Sequence, residues 1–214
     1  DLGIVVSERD QNAALSVLRS LLLSVVHRKA ESFGPQDLAN ILWSMATLGF
    51  GLSSDQDQSG NAYLILEGDR QLEDSQLMLE TVDVIVQSSI RMLPQFQSQD
   101  LSNIAWSLAR LLRNTRNASR ETDAELGVRD VNKLLRGIGK RMEDPRVAVN
   151  SQDVSMALWG MATLEFVYTD IYHGVVSRLL SPEITAQCNP HDYANSLWAM
   201  ATADVEIGGR LAFD

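Results

Sequence analysis

One fifteen-residue pattern occurs four times in the sequence, and this repeat limits the possible folds more than any other feature. Every copy has an aspartate at position 4 and a tryptophan at position 10, and the copies contain all four tryptophans of the 214-residue chain. A chain built from such a repeat is expected to stack similar units, because one unit alone cannot bury its apolar face. The copies span residues 34–48, 97–111, 150–164 and 189–203, with the tryptophans Trp43, Trp106, Trp159 and Trp198.

Each copy begins with the signals of a helix N-terminus. Position 2 is proline or serine, and proline is favoured at the first helical residue because its missing N–H would be unpaired there. The aspartate at position 4 stands where a carboxylate can bond back to the capping residue and meet the positive end of the helix dipole. The sequence therefore predicts four helices, which follow the capping residues Gly34, Gln97, Asn150 and Asn189.

Small side chains recur at fixed places in these helices. Position 13 is alanine in every copy and position 6 is alanine or serine, so another helix can approach closely, as stacked repeats require. A further narrow strip of each helix is mostly small and polar, although Met156 and Gly160 interrupt it in the third copy. We expect this strip to line a groove. Its candidate binding residues are Asn40, Ser44, Asn103, Ser107 and Asn195.

The tryptophans have two interpretations. The simpler one places them in the core, where they pack between neighbouring repeats, as large apolar side chains usually do. The alternative places them on the surface as platforms on which nucleic-acid bases stack.

The spacing of the tryptophans indicates two inserts in a regular array. Successive tryptophans are 63, 53 and 39 residues apart, and the two excesses match an acidic loop at 51–74 and a second insert at 113–126. The remaining segments predict helices over 10–30, 75–93, 128–143 and 169–181. The expected fold is all-α: a single array over 1–214, an α-solenoid of about four helix–turn–helix repeats with a unit of about 39 residues. We expect it to be a segment of a longer protein.

Composition and motifs argue against several classes of protein. The chain is 45% hydrophobic and 21% charged, which is typical of a soluble domain, and no apolar run reaches the roughly 18 residues that span a membrane. The three histidines and the single Cys188 have no partners at metal-ligand spacing, and no glycine-rich phosphate loop or catalytic constellation is visible. We therefore expect no enzyme activity, metal, cofactor or small-molecule substrate.

The charge of the chain is distributed unevenly. The net charge is −10, yet residues 84–148 carry eleven basic and seven acidic groups. A basic cluster of this kind suits contacts to RNA phosphates, whereas the simpler interpretation is a solvated face opposite an apolar one. The cluster consists of Arg110, Arg113, Arg116, Arg120, Arg129, Lys133, Arg136, Lys140 and Arg141.

The repeated pattern, written QDLANILWSMATL in the first copy, resembles the octotricopeptide and heptatricopeptide repeats of organellar RNA-metabolism proteins. It is also similar to the helical arrays of RAP-domain and FAST-kinase-like proteins and of the RNA-editing substrate-binding complex. The resemblance implies an α-solenoid of mitochondria or chloroplasts that binds single-stranded or ribosomal RNA. It implies roles in RNA processing, editing, translation or ribosome association.

Two functions remain open at this point. The first is a non-catalytic RNA-binding module of organellar gene expression, which uses the basic cluster and the polar strip. The alternative is a protein–protein interaction scaffold within a larger organellar complex, which holds a peptide or a partner helix in the same groove.

Overall fold

The computed structural model describes residues 8–50, 69–119, 128–166 and 169–203. These ranges form nine α-helices and a short 3-10 turn at Leu93–Gln95, with no strand among them. The helices are α1 (Glu8–His27), α2 (Pro35–Leu48), α3 (Asp69–Met92), α4 (Ser98–Ser119), α5 (Val131–Glu143), α6 (Ser151–Thr163), α7 (Thr169–Leu179), α8 (Pro182–Thr185) and α9 (Pro190–Thr202). The predicted all-α class is confirmed.

The four repeat copies form the helices α2, α4, α6 and α9, which we call the repeat helices. Their N-termini are capped much as the sequence predicts. The Asn150 side chain accepts a hydrogen bond of 2.8 Å from the backbone N–H of Asp153. In α2 the direction is reversed, since a carboxylate oxygen of Asp37 accepts from the backbone N–H of Gly34 at 2.9 Å. Each of these bonds satisfies a backbone or side-chain group that the helix start would otherwise leave unpaired.

The helices pack in two layers. The repeat helices lie side by side in chain order, α2 against α4, α4 against α6 and α6 against α9. The helices α1, α3, α5 and α7 form a second layer in the same order, and α3, α5 and α7 also pack against the repeat helices. An array of consecutive neighbours buries a shared core between its layers, as repeated helical units require.

The core lies between the two layers. On α2, α4 and α6 it is formed by positions 5, 9 and 12, for example Leu38, Leu42 and Met45 of α2, which are fully buried. These positions fall on one stripe at about 100° per residue. The second layer contributes matching stripes, of which the clearest is on α5, where Leu134, Leu135 and other apolar side chains are fully buried.

The aspartates at position 4 of α6 and α9 bind the preceding repeat helix. A carboxylate oxygen of Asp192 accepts a hydrogen bond from the hydroxyl of Ser151 at 2.8 Å, and the other oxygen accepts from Ser155 at 3.2 Å. Asp153 accepts in the same way from Ser98 at 2.6 Å. Both aspartates are more than 95% buried, and a buried carboxylate must be hydrogen-bonded in this way to offset its desolvation. The contacts join N-terminus to N-terminus, so these neighbours run parallel.

The small residues at positions 6 and 13 lie in the junctions between repeat helices. They are buried in the first three copies, as at Ala46 and Ala109, but Ala194 and Ala201 of α9 are exposed, because no described helix packs on that side of α9. Helices α4 and α6 approach each other closely. A Cβ atom added to Gly160 would lie 2.6 Å from the backbone oxygen of Ala105.

Both predicted inserts overlap a helix, so each loop is shorter than expected. Helix α3 begins at Asp69, so residues 69–74 of the predicted acidic loop are helical. The reason is a distant partner: Asp74 is only 1% exposed and is paired with Arg19 of α1 at 2.6 Å. Helix α4 continues to Ser119, so the beginning of the second predicted insert is also helical. The rest of the two predicted inserts, residues 51–68 and 120–126, lies outside the described residues.

The remaining predicted helices are confirmed with small shifts of their ends. Helix α1 ends at His27, before the predicted residue 30, because Lys29 and Ala30 adopt left-handed backbone conformations with φ values of 47° and 52°. None of the helices in the described ranges combines the length and apolar character needed to cross a bilayer.

Candidate functional site

The tryptophans lie on the outer surface of the repeat-helix layer. Trp43 and Trp198 are each 45% exposed, and Trp106 and Trp159 are half-buried at the edge of the core. The interpretation that they are core residues is therefore wrong for the first pair and only partly right for the second. The physical reason is angular, since position 10 falls roughly opposite positions 5, 9 and 12 on a helix of 100° per residue.

Two observations describe how these side chains are held. The rings of Trp159 and Trp198 have their centroids 6.0 Å apart with planes tilted by 30°, a favourable aromatic contact. The guanidinium carbon of Arg110 lies 5.4 Å from the centroid of the Trp106 ring, within cation–π range. The same arginine donates from Nε to the backbone oxygen of Ala46 at 3.0 Å. Trp106, Trp159 and Trp198 are thus held by side-chain contacts, and all four tryptophans remain partly exposed.

Amide side chains flank the tryptophans. Positions 3, 7, 10 and 14 form the outward stripe of each repeat helix, and we call the stripes of all four copies together the tryptophan face. At position 7, Asn40 is exposed and Asn103 and Asn195 are half-buried. The full set is Gln36, Asn40, Trp43, Thr47, Gln99, Asn103, Trp106, Arg110, Gln152, Met156, Trp159, Thr163, His191, Asn195, Trp198 and Thr202.

A cavity of about 550 Å³ opens on the tryptophan face across α4, α6 and α9. Its walls combine aromatic and apolar groups with amides, and its volume falls in the range of small-molecule sites. The residues that give it this character are Trp106, Gln152, Met156, Trp159, His191 and Asn195. Of these, Asn195 is a binding residue predicted from the sequence, and Trp106 and Trp159 are candidates in the alternative interpretation of the tryptophans as stacking platforms. The others were available from the pattern, as the stripe at positions 3, 7, 10 and 14.

The predicted polar strip does not form one groove. Its asparagines lie on the tryptophan face, but its serines at position 11 lie in the junctions with the preceding element. Ser107 is fully buried and its hydroxyl has no hydrogen-bond partner, so it is unavailable to a ligand. Ser44 and Asn40 instead line a mostly apolar groove of about 520 Å³ between α1 and α2. Positions 7 and 11 are neighbours around the helix, yet the asparagines and the serines reach different surfaces.

The basic cluster is also divided. Lys133, Arg136 and Lys140 are exposed on α5, opposite the buried stripe of that helix. Because α5 belongs to the second layer, these three side chains point away from the tryptophan face, on the other side of the two-layer array. Arg129, near the start of α5, is engaged with Asp83 of α3 at 2.9 Å, which raises the pKa of the arginine.

The other members of the basic cluster have different surroundings. Arg141 is half-buried and donates to the backbone oxygen of Phe96 at 3.4 Å. Arg110 and Arg113 lie half-buried on α4. The side chain of Arg116 and the whole of Arg120 lie outside the described part of the chain. Among the members whose side chains the structure describes, Arg110 is the one that lies over a tryptophan ring.

Three further observations concern the titratable groups of the described residues. Arg146, through hydrogen bonds, lowers the pKa of Asp144 to about 2. Burial, and then the nearby charge of Asp192, raise the pKa of the Cys188 thiol, which disfavours the reactive thiolate form. In the described ranges no three histidine, cysteine or acidic side chains gather as metal ligands.

Comparison with known proteins adds no assignment. No family model, known protein or solved structure matches this chain. The site therefore has to be interpreted from its own geometry. What that geometry offers is a row of accessible aromatic rings with amides beside them and a single described arginine among them.

Proposed function

We propose that the chain is an α-solenoid of helical repeats that binds single-stranded RNA on its tryptophan face. The observation that carries the proposal is the position of the four tryptophans. They occupy the same place on four neighbouring helices, and each leaves part of its ring accessible. In line with the resemblance of its repeats, we place this activity in organellar gene expression, in mitochondria or chloroplasts, and without a catalytic step.

Stacking supplies the affinity in this proposal. Unpaired bases stack on aromatic side chains with about 1–3 kcal/mol per base, and every base offers a face for this contact. The cavity bordered by Trp106 and Trp159 has room for a base at its centre. Repeating helices present such positions at regular intervals, which suits an extended strand better than a folded ligand.

Amides supply selectivity. Gln152 and Asn195 border the same cavity, and an amide both donates and accepts hydrogen bonds. Side chains of this kind read the exposed edges of single-stranded bases. The third copy carries Met156 where the others have asparagine, so this repeat contributes an apolar contact instead.

Phosphate contacts are few in this arrangement. Arg110 is the one arginine or lysine in the stripes of the tryptophan face. The exposed lysine and arginine side chains of α5 lie on the opposite side of the array. Each phosphate contact on a single strand contributes about −0.7 to the slope of log affinity against log salt concentration. We therefore expect a shallow salt dependence, which distinguishes stacking from binding by a basic patch.

The intrinsic fluorescence of the protein tests the proposal directly, because all four tryptophans lie on the proposed surface. Titration with oligouridine should quench this fluorescence. Trp159→Ala should weaken binding by about 1–3 kcal/mol, which is roughly 5-fold to 150-fold. Trp159→Phe, which keeps an aromatic ring, should retain most of the affinity, and circular dichroism should show that both variants keep their helices.

A matched control separates the two surfaces. Replacing Lys133, Arg136 and Lys140 together by glutamine removes three exposed charges on α5 but leaves the tryptophan face unchanged. We expect this triple variant to bind nearly as well as the wild type. If it loses binding while Trp159→Ala keeps it, the basic side is the binding surface. If the wild type binds no RNA even at low salt, the scaffold function replaces this proposal.

A further inference from the structure

In the described part of the chain, the exposed large apolar side chains lie towards the two ends of the array. Among the described residues, the large hydrophobic side chains that are exposed all belong to the first two helices or to the segment from α7 to α9, and none belongs to the helices between. At the first end they are Val17, Leu21, Leu23, Trp43 and Leu48, and at the last end they are Leu180, Tyr193, Leu197 and Trp198.

Each repeat helix meets its neighbours through two flanks. The trailing flank is formed by positions 2, 6 and 13, and it packs against the leading flank of the next repeat helix, formed by positions 4, 8 and 11. The junction of α2 with α4 shows how closely the flanks fit, since Ala39, Ala46, Ile104 and Ser107 are fully buried there.

The residue types of the junctions differ in a regular way. In the junction of α2 with α4 the trailing flank is Pro-Ala-Ala and the leading flank is Asp-Ile-Ser. In the two later junctions the trailing flank is Ser-Ser-Ala, and its two serines bind the aspartate of the next helix. The leading flanks that meet these serines carry only alanine, serine or glycine after the aspartate.

Within the described ranges, one flank at each end of the array has no repeat helix against it, and these two flanks match the first type of junction at every position. The trailing flank of α9 is again Pro-Ala-Ala, and its Ala194 and Ala201 are exposed. The leading flank of α2 is again Asp-Ile-Ser, and its Ile41 and Ser44 are half-buried beside the groove between α1 and α2. The open ends thus carry the two halves of an interface that the chain already uses once internally.

We propose that copies of this chain associate head to tail, with the trailing flank of α9 in one copy packed against the leading flank of α2 in the next. The contact would continue the interface between α2 and α4. The helix α1 of the second copy would then cover the core side of α9, where Tyr193 and Leu197 are exposed, as α3 covers the core side of α2.

Such a contact does not close on itself. It joins two different surfaces, so each added copy leaves one free end of each kind, and the product is an open chain of copies. The interface is mostly apolar, whereas each copy carries a net charge of −10. Repulsion between copies is screened by salt, so association should strengthen as the salt concentration rises. RNA binding should instead weaken as the salt concentration rises. A failure of the association can therefore be distinguished from a failure of the proposed RNA binding.

Sedimentation velocity of the chain, over a wide range of protein and salt concentrations, tests the proposal with two variants and a control. Ala201→Arg blocks the trailing flank of α9, and Ser44→Arg blocks the leading flank of α2. Each variant alone should weaken association at least about tenfold. Ala148→Arg, at an exposed alanine outside both flanks, should associate like the wild type.

An equimolar mixture of the two variants gives the decisive result. Ala201→Arg retains an intact α2 flank and Ser44→Arg an intact α9 flank, so the mixture should form a dimer and nothing larger. A wild type that stays monomeric at high concentration and high salt would overturn the proposal and show that the flanks have another occupant. A mixture that stays monomeric while the wild type associates would also overturn it, because the contact would then not join these two flanks.

Discussion

Replacing Gly160 by alanine should destabilise the protein, although the same change usually stabilises a helix. Alanine is favoured over glycine inside a helix by about 1 kcal/mol. At this position the added methyl group would lie 2.6 Å from the backbone oxygen of Ala105 and 2.7 Å from its carbonyl carbon. A backbone atom cannot rotate away as a side chain does, so α4 and α6 would have to separate.

The size of the effect follows from two opposing contributions. Overpacking a well-packed interface costs about 1–3 kcal/mol, and the gain in helix propensity offsets about 1 kcal/mol of this. We expect a net loss of up to about 2 kcal/mol. For a chain of this length, 1 kcal/mol corresponds to a change in melting temperature of about 2–4 °C, so the midpoint should fall by up to about 8 °C in thermal denaturation followed by circular dichroism.

Gly174→Ala is the matched control. The methyl group added there would meet the carboxylate end of Glu143, and this flexible side chain can move aside. Gly174→Ala should therefore leave the melting temperature unchanged or raise it, while Gly160→Ala lowers it. If both changes were stabilising, the close approach of α4 and α6 would not be a constraint on stability.

Three further predictions concern the ionic groups of the fold. Arg19→Met should lower the free energy of unfolding, measured in urea, by up to about 3–5 kcal/mol, because it leaves the buried charge of Asp74 unpaired. Adding Asp74→Leu to that variant should restore most of the loss. Asp192→Ala should cost about 2–4 kcal/mol, since it removes a helix cap and the charged acceptor of two buried serine hydroxyls, which keep only backbone oxygens as acceptors. An unchanged urea midpoint would contradict the importance of the aspartate–serine contacts. Arg146→Gln should raise the pKa of Asp144 from about 2 towards the ordinary aspartate value in an NMR titration. Because the folded-state pKa of Asp144 is depressed, its contribution to stability is present above about pH 4 and is lost as the pH falls towards 2.

The helices and their starting points were readable from the sequence because their signals are local. A proline or serine followed two residues later by an aspartate acts within a single turn, so the beginnings of all four repeat helices were predicted correctly. The alanines at position 13 likewise indicated that helices approach closely, and this holds wherever a following repeat helix is present. The predicted loop boundary at residue 74 failed because the partner of Asp74 is Arg19, 55 residues earlier in the chain.

The side of the molecule to which each helix face turns was decided only by the tertiary structure. Periodicity shows that positions 3, 7, 10 and 14 share a stripe, but a stripe containing tryptophan normally faces the core. In α2, α4 and α6 the core side is already occupied by positions 5, 9 and 12, which meet the second layer, and the tryptophans are left on the outside. In the same way, the sequence shows a basic stripe on α5, and only the layer in which α5 packs places that stripe away from the tryptophan face. Local chemistry determines where helices form, whereas competition among their apolar faces for one shared core determines which residues remain available to a partner.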